Sequence, residues 1–229
     1  MHIGLIPDGN RRYMKLHGIT NLMDSYRAGI GKFYDFLQWS MKRGVDEVTI
    51  YALSMENIAN RGRREVETLY RVFSEQARKA LTDRRIHDNR IRVKICGDKE
   101  CLVKSGNPEL ASELIANMER LEEATKHYDK FTLNFAVGYG GRQEIVNAVK
   151  RLNSQGLEVS EENIRNNLWV KDYPEIVIRT SEDRLSNFLL WQSAYSEIYF
   201  VDKLWQDFVE RDLNKIIDDY NSRERRFGK

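Results

Sequence analysis

The sequence predicts an α/β fold, in which a central, mainly parallel six-stranded sheet is flanked by helices. Two observations support this prediction. Short apolar runs alternate along the whole chain with longer segments whose apolar residues recur at helical spacing. The 229 residues contain no internal repeat and no linker rich in glycine, proline or serine. We therefore expect residues 1–229 to form a single domain with one sizeable core.

Each predicted strand is a continuous apolar run, as is typical of a parallel strand that is buried on both faces. The runs span residues 3–6, 45–53, 91–95, 131–137, 176–179 and 197–201. Helices are predicted over residues 27–44, 65–85, 107–128, 142–152, 186–194 and 208–221, with a short basic helix after the first strand and another after Ser160. Residues 54–66 are polar and predict a loop at the carboxyl end of the second strand, where open α/β sheets bind ligands.

The composition narrows the class of protein. With 41% hydrophobic and 31% charged residues, the chain is not expected to be disordered. A net charge of +2 and the lack of a nucleic-acid-binding motif argue against a nucleic acid partner. Cys96 and Cys101 lack the spacing of metal ligands, which favours reduced thiols and a cytoplasmic location. No apolar run reaches the length of a membrane span, and we expect no signal peptide before the first strand.

The first eighteen residues, MHIGLIPDGNRRYMKLHG, contain the strongest local signal. After the first strand and Pro7, a tight turn is predicted at Asp8, Gly9 and Asn10. A helix then begins, and its first turns are basic because they contain Arg11, Arg12 and Lys15. Positive charge at a helix N-terminus opposes the helix dipole, so an anion such as phosphate is expected there. Asp8 would repel a bare phosphate, and a bridging Mg²⁺ would remove that conflict. The alternative is a solvated turn with surface arginines.

Similar polar clusters follow other predicted strands. The second strand is followed by Ser54, Glu56, Asn57 and Arg61, and the fifth by Arg179, Arg184 and Ser186. In a parallel sheet these clusters and the Asp8 turn lie along one edge, where two anionic groups fit side by side. From the residues alone, Asp8 and Glu197, which opens the sixth strand, are candidates to hold one metal ion between them.

The motifs that the sequence lacks also constrain the chemistry. It has no Walker loop, no dinucleotide fingerprint and no nucleophile elbow, and its four histidines are scattered. The reaction is therefore expected to need little acid–base chemistry from side chains. Ionisation of a diphosphate ester meets this condition, because Mg²⁺ and arginines stabilise the leaving group electrostatically. A basic edge beside apolar helices suggests an amphiphilic substrate.

Several motifs together resemble those of the cis-prenyltransferase family. They are the opening H-x-x-x-x-x-D-G-N-x-R pattern from His2, then YALSMENIANR, NFAVGYGGRQEIVNAV, RTSEDRLSNFLLWQSAYSEIYFVDKLWQDF and the closing RERRFG. The resemblance implies a six-stranded parallel sheet, a homodimer and Mg²⁺ dependence. It also implies a reaction in which an allylic prenyl diphosphate ionises and the double bond of isopentenyl diphosphate attacks it. Loss of a proton then leaves a cis double bond. Contact with a membrane surface through the lipid product is a further implication.

The resemblance assigns roles to matching residues. Asp8 would be the catalytic aspartate and bind Mg²⁺, and Glu197 would help to place the metal from the wall of a neighbouring active site. The allylic diphosphate would be surrounded by Gly9, Asn10, Arg11, Arg12 and Arg61. Ser54 and Asn57 would line the reaction centre. The acceptor diphosphate would be bound by Arg179, Arg184 and Ser186, and Arg226 and Gly228 would contact substrate across a dimer interface.

The sequence also departs from the family pattern. Arg11 and Tyr13 replace the glycine and tryptophan of D-G-N-G-R-W, and Tyr26 and Arg27 occupy the region of a usual arginine and histidine; Ile58 replaces an aromatic residue. Arg11 is hypothesised to compensate for the lost charge. The acceptor motif lacks one glycine between Arg179 and Arg184, which shifts its N–H groups by up to about 3 Å.

Three functions remain open at this point. Regular cis elongation is favoured. Irregular condensation of lavandulyl type, or transfer to another acceptor, is the alternative that the departures suggest. A non-catalytic partner subunit is disfavoured because Asp8 is present. Residues 74–82, SEQARKALT, are polar for a tunnel wall, which indicates a short- to medium-chain product unless they face solvent.

Overall fold

A computed structural model describes residues 1–105 and 107–223. One sheet of six strands has the order β3-β4-β2-β1-β5-β6, and every pairing in it is parallel. The strands are β1 (His2–Ile6), β2 (Glu47–Ser54), β3 (Ile91–Cys96), β4 (Phe131–Tyr139), β5 (Ile176–Thr180) and β6 (Glu197–Val201). The predicted fold class and the six predicted strands are thereby confirmed.

Helices connect these strands and cover the sheet. They are α1 (Asn10–Leu16), α2 (Leu22–Lys42), α3 (Met55–Asn60), α4 (Arg63–Ala80), α5 (Arg84–Asp88), α6 (Lys99–Ser105), α7 (Pro108–Thr125), α8 (Gly141–Gln155), α9 (Glu161–Asn167) and α10 (Glu210–Ser222), with a 3-10 helix at Trp205–Asp207. Buried apolar residues form a cluster on each face of the sheet. In the described part of the chain, no helix combines the length and apolar character that a membrane crossing requires.

The helix predicted over residues 186–194 is wrong, because this segment is a series of turns. Ser186, Asn187 and Leu189 have positive φ angles of 49°, 65° and 43°, which a right-handed helix does not contain. Hydrogen bonds explain the difference: Tyr51 donates to the Ser186 carbonyl, and Arg179 donates to the Ser186 hydroxyl. The apolar residues that suggested a helix are buried without being helical.

Two other predictions are corrected near the second strand. The predicted loop over residues 54–66 contains the short helix α3, whose first turn is capped by the Ser54 hydroxyl accepting from the Asn57 N–H at 2.9 Å. The helix predicted over residues 65–85 is two helices, α4 and α5. Asp83 caps the second of them by accepting from the Arg85 N–H at 2.9 Å.

A cluster of three aromatic side chains links α2 to the loop after β1. Phe36 is fully buried, and its ring lies 5.8 Å from the ring of Trp205 and 6.0 Å from that of Phe208. The Trp205 indole donates to the Gly29 carbonyl at 2.8 Å, and its backbone N–H donates to the Asp8 carbonyl at 3.0 Å. This packing therefore fixes the backbone of Asp8, the second residue after β1.

Substitution of Phe36 by alanine tests this packing. We expect F36A to lower the free energy of unfolding by about 3–5 kcal/mol, because it removes a fully buried ring and leaves a cavity. Urea unfolding followed by circular dichroism measures the effect. V159A, at a side chain that is 52% exposed, is the control and should cost less than about 0.5 kcal/mol. Equal effects of the two substitutions would contradict this role of Phe36.

Candidate active site

A cavity of about 1030 Å³ opens at the carboxyl ends of β1, β2 and β5. We call its polar opening the mouth; it is lined by Asp8, Gly9, Asn10, Arg11, Arg12, Ser54, Glu56, Asn57, Arg61, Arg142, Arg179, Glu182, Arg184, Ser186 and Asn187. Its interior lies between the sheet and helices α2, α4 and α7, and is lined mainly by apolar side chains, including Ile30, Phe33, Leu37, Ile50, Leu69, Phe73, Ala77, Ala80, Val93, Met118, Leu121, Leu133 and Phe135. The cavity therefore suits a molecule with a charged head and an apolar body.

The structure brings together the three polar clusters that the sequence placed at one edge. Strand β1 lies between β2 and β5, so the loops after these strands are neighbours. Asp8, Arg61 and Arg179, one from each cluster, line the same cavity. Glu56 and Glu182 also line the mouth, so it contains carboxylates besides that of Asp8.

Asp8 is held by its backbone while its carboxylate faces the mouth. Its N–H donates to the Thr180 hydroxyl at 2.9 Å, and the same hydroxyl donates to its carbonyl at 2.8 Å. The carboxylate accepts from the Gly9 N–H at 2.7 Å and from Arg179 Nη2 at 2.8 Å. The Asp8 side chain is 41% exposed, whereas that of Arg179 is 3% exposed. The site thus has one accessible carboxylate oriented by a buried guanidinium.

The residues that follow Asp8 are fixed by close contacts. Gly9 has φ of 107°, and a Cβ at this position would lie 2.5 Å from the Ser181 hydroxyl, so only glycine fits. Asn10 donates from Nδ2 to the Pro7 carbonyl at 3.1 Å and accepts from Gln206 at 2.7 Å. Both residues therefore have a structural reason for their identity in addition to their place at the mouth.

Arg179 connects the two halves of the mouth. Besides Asp8, its guanidinium donates to the Ser186 hydroxyl at 2.6 Å and to the carbonyl of Arg184. The Arg184 side chain is 63% exposed and pairs with Glu182 at 2.7 Å. The shortened loop between the two arginines turns at Ser181, which adopts φ of 72°. This left-handed backbone is costly for a residue other than glycine, asparagine or aspartate.

The two consecutive arginines of α1 reach opposite sides of the mouth. Arg11 forms a bidentate pair with Glu65, with its shortest N–O distance at 2.6 Å. Arg12 donates to the Ser181 carbonyl at 2.7 Å and to Glu182 at 2.9 Å. Neither glutamate was predicted from the sequence, because each lies far along the chain from the arginine that it binds.

Ser54 and Asn57, which the resemblance assigns to the reaction centre, both line the cavity. The polar stretch over residues 74–82 contributes less to the wall than expected. From this stretch, Gln76, Ala77 and Ala80 line the cavity, whereas the buried Ser74 hydroxyl accepts from Asn117 at 2.8 Å. The part of the wall contributed by α4 is therefore mostly apolar.

Glu197 does not lie beside Asp8 in the same chain. In the sheet register Ile3 pairs with Ile176, which pairs with Glu197, so Glu197 is at the amino ends of the strands. Its carboxylate accepts from the Tyr199 hydroxyl at 2.9 Å and lies 3.5 Å from Arg223. The expectation that one chain holds a metal between the carboxylates of Asp8 and Glu197 is wrong. Asp8 lies beyond the carboxyl end of β1, whereas Glu197 is the first residue of β6, so the two lie at opposite edges of the parallel sheet.

A metal at the mouth would have few protein ligands. Residues 1–105 and 107–223 contain no group of three or more histidine, cysteine, aspartate or glutamate residues arranged to hold a metal. Mg²⁺, however, commonly uses one or two carboxylates and takes its other ligands from phosphate oxygens and water. The exposed carboxylate of Asp8, among guanidiniums that attract phosphate, fits this donor set. Arg226 and Gly228, the other predicted substrate contacts, lie outside the described residues.

Replacement of Thr180 by valine tests how Asp8 is held. Thr180 is fully buried, and T180V keeps the shape of its side chain while removing both hydrogen bonds to the Asp8 backbone. We expect the free energy of unfolding to fall by about 1–2 kcal/mol. T68V is the control, because the exposed Thr68 hydroxyl donates only to the Arg64 carbonyl of its own helix. A change for T180V no larger than that for T68V in chemical unfolding would argue against this clamp.

Comparisons with known proteins agree with this site. Residues 6–228 match the sequence model of a family described as "Putative undecaprenyl diphosphate synthase". The tritrans,polycis-undecaprenyl-diphosphate synthase (geranylgeranyl-diphosphate specific) of Pyrobaculum aerophilum is 41% identical over 237 residues, which cover 100% of this chain and 95% of that protein.

Two solved structures also match this chain at 29% sequence identity. Each match covers 100% of this chain and 98% of the chain in the solved structure. One is a probable undecaprenyl diphosphate synthase from Campylobacter jejuni, with a TM-score of 0.80. The other is lavandulyl diphosphate synthase from Lavandula x intermedia in complex with dimethylallyl diphosphate, with a TM-score of 0.88. The family model and the curated relative show what the sequence motifs predicted: this chain belongs to the undecaprenyl diphosphate synthase family and is a cis-prenyltransferase.

Proposed function

We propose that the chain condenses an allylic prenyl diphosphate with isopentenyl diphosphate in a Mg²⁺-dependent reaction and forms a short- to medium-chain (Z)-polyprenyl diphosphate. The observation that carries this proposal is the cavity itself. Its mouth has the accessible carboxylate of Asp8 among several guanidiniums, and its interior is mainly apolar. Its volume of about 1030 Å³ is large for a small-molecule site, which leaves room for a prenyl chain.

We assign the allylic diphosphate to the side of the mouth formed by α1 and α3. The residues proposed to surround it are Gly9, Asn10, Arg11, Arg12 and Arg61, with Ser54 and Asn57 beside the reacting carbon. Asp8 would hold Mg²⁺ against the diphosphate oxygens, and the metal would supply positive charge that stabilises the departing diphosphate. The positively charged guanidiniums would also stabilise the departing diphosphate. They do so with little reorganisation, because they are oriented before the substrate arrives.

The acceptor diphosphate is assigned to Arg179, Arg184 and Ser186. Arg179 contacts both Asp8 and Ser186, so it places the two diphosphates side by side. The allylic C–O bond breaks with its electron pair on the diphosphate, and the π electrons of the acceptor then form the new C–C bond. Loss of a proton from the adjacent carbon leaves the double bond. Binding both partners in this orientation supplies much of the rate enhancement.

The relative from Pyrobaculum aerophilum is named as specific for geranylgeranyl diphosphate. We extend this preference to the present chain as the allylic primer, and the apolar interior of the cavity supports it. Geranylgeranyl diphosphate would place its diphosphate at the mouth and its hydrocarbon chain between α2, α4 and the sheet.

A homodimer is also proposed. Edge strand β6 and the segment before it carry apolar side chains that are largely exposed: Tyr195 is 84%, Ile198 39% and Phe200 43% exposed. Large apolar side chains that are exposed close together along one edge strand are consistent with an interface between proteins. Glu197 lies on the same strand, so a second copy packed here would be the route by which its carboxylate approaches another active site.

Irregular condensation of allylic diphosphates is the second candidate. The shortened acceptor loop supports it, since Ser181 adopts a strained φ of 72° and Arg184 is largely exposed and paired with Glu182. The similarity to lavandulyl diphosphate synthase is consistent with either reaction, because a structure named as an undecaprenyl diphosphate synthase matches at the same identity. The loop alone is thus the feature that favours this candidate.

A product assay tests the proposal. The protein with Mg²⁺ is incubated with dimethylallyl diphosphate alone, or with isopentenyl diphosphate and allylic primers of C5 to C20. The products are dephosphorylated and identified by mass and NMR. We expect products with new cis double bonds that require isopentenyl diphosphate, with geranylgeranyl diphosphate as the best primer. A branched product from dimethylallyl diphosphate alone would establish irregular condensation instead.

Substitution of Asp8 separates catalysis from folding. D8N keeps the shape of the side chain but removes its negative charge, so we expect turnover to fall by about 100- to 1000-fold. Loss of the ion pair with the buried Arg179 should lower the melting temperature, so turnover is compared at a temperature at which circular dichroism shows both variants to be folded. D46N is the control, because Asp46 is 69% exposed and binds the N-terminal amine at the other end of the sheet. Turnover by D8N close to that of D46N would exclude the role assigned to Asp8.

A further inference from the structure

Four side chains form a closed polar cluster beside the mouth. Tyr26 comes from α2, Arg61 follows α3, Glu65 lies in the first turn of α4, and Arg11 comes from α1. Tyr26 and Glu65 were not among the predicted site residues. The cluster joins four helices at the place where the allylic diphosphate is proposed to bind.

Tyr26 and Glu65 fix one end of the Arg61 guanidinium. The Tyr26 hydroxyl accepts from Arg61 Nη1 at 2.8 Å and donates to Glu65 Oε1 at 2.9 Å. The same Nη1 atom lies 3.1 Å from Glu65 Oε1. Arg61 and Glu65 are only 20% and 18% exposed, so solvent screens this pair less than it screens a surface ion pair. Arg61 is therefore held in one orientation without any ligand.

The hydrogen bonds leave the bidentate edge of Arg61 available. Within residues 1–105 and 107–223, its partners are Tyr26 and Glu65, and both contacts are made by Nη1. The Nε and Nη2 atoms, which together match the spacing of two phosphate or carboxylate oxygens, keep no partner there. Arg61 also lines the cavity. A guanidinium fixed in this way is prepared to bind a diphosphate.

Arg11 is arranged in the opposite way. Its Nε and Nη2 atoms, the bidentate edge, both donate to Glu65. Burial raises the pKa of the Glu65 carboxyl, but hydrogen bonds from Arg11 and Tyr26 outweigh it, and the pKa lies below its ordinary value. Glu65 is therefore ionised and bridges two guanidiniums that would otherwise repel each other. Arg11 supports the cluster with the edge that a phosphate would need.

We propose that Tyr26 and Glu65 are positioning residues that orient the bidentate edge of Arg61 toward the allylic diphosphate. Arg11 acts in this arrangement as the second partner of Glu65, and Arg61 is the guanidinium that clamps the substrate. The inference rests on the proposed function, because it concerns the binding of the first substrate of that reaction.

The neighbouring residue on α2 provides a contrast. Arg27 pairs with Glu75 of α4 at 2.9 Å and with Asp24 at 3.7 Å, and it does not line the cavity. The Arg27–Glu75 pair also joins α2 to α4 but lies away from the mouth. It therefore offers a matched control for effects that come only from linking the two helices.

Y26F is the decisive variant, because it removes one hydroxyl without a change of net charge. We expect the Kd for geranylgeranyl S-thiolodiphosphate, an unreactive allylic analogue measured by calorimetry, to rise about tenfold, since Arg61 loses its fixed orientation. The KM for isopentenyl diphosphate should change less than about twofold. Y128F is the control; it removes a hydroxyl that bonds His87 at 2.8 Å and should leave both constants unchanged.

A double variant tests whether the two residues act as one unit. E65Q alone should also weaken binding of the analogue, and Y26F/E65Q should lose no more than the larger single effect, because both act through Arg61. E75Q, which breaks the other pair between α2 and α4, should bind the analogue as the wild type does.

Two results would overturn the inference: a Kd for Y26F within twofold of the wild type, or equal increases in the constants for both substrates. A wild-type protein without turnover would instead contradict the proposed function, and the two failures are thus distinguishable.

Discussion

The parallel pairing of β1 between β2 and β5 is the constraint on which the site depends. It places the ends of three strands beside one another, although the loop after β5 lies more than a hundred residues along the chain from the loops after β1 and β2. Thr180, at the end of β5, binds the backbone of Asp8, at the end of β1, through both its N–H and its carbonyl. The position of the carboxylate is therefore set by the sheet rather than by a flexible loop.

Three arginines at the mouth are paired with carboxylates before any substrate binds. The arginines of α1 each pair with a glutamate, Arg11 with Glu65 and Arg12 with Glu182, and the buried Arg179 pairs with Asp8. A diphosphate therefore enters a site in which the donors are already oriented, and it competes with carboxylates for some of them. Donors that are oriented in advance stabilise the negative charge that develops on a leaving group, because they need little reorganisation during the reaction.

The sequence predicted what depends on local pattern and chain order, including the six strands and the three polar clusters at one edge. It failed where distant contacts decide the structure. Residues 186–194 have helical spacing, but hydrogen bonds from Arg179 hold their first part in turns. Glu197 was placed beside Asp8 although it opens its strand. Tyr26 and Glu65 meet across two helices, 39 residues apart, and no local signal connects them.

We infer that the Asp8 carboxylate and a bound diphosphate together complete a metal site that the protein alone does not form. Binding of Mn²⁺, followed by electron paramagnetic resonance with and without geranylgeranyl S-thiolodiphosphate, tests it most directly. We expect tight binding of Mn²⁺ by the wild-type protein only when the analogue is present, and weak binding by D8N in both cases. Tight binding without the analogue, or undiminished binding by D8N, would contradict it.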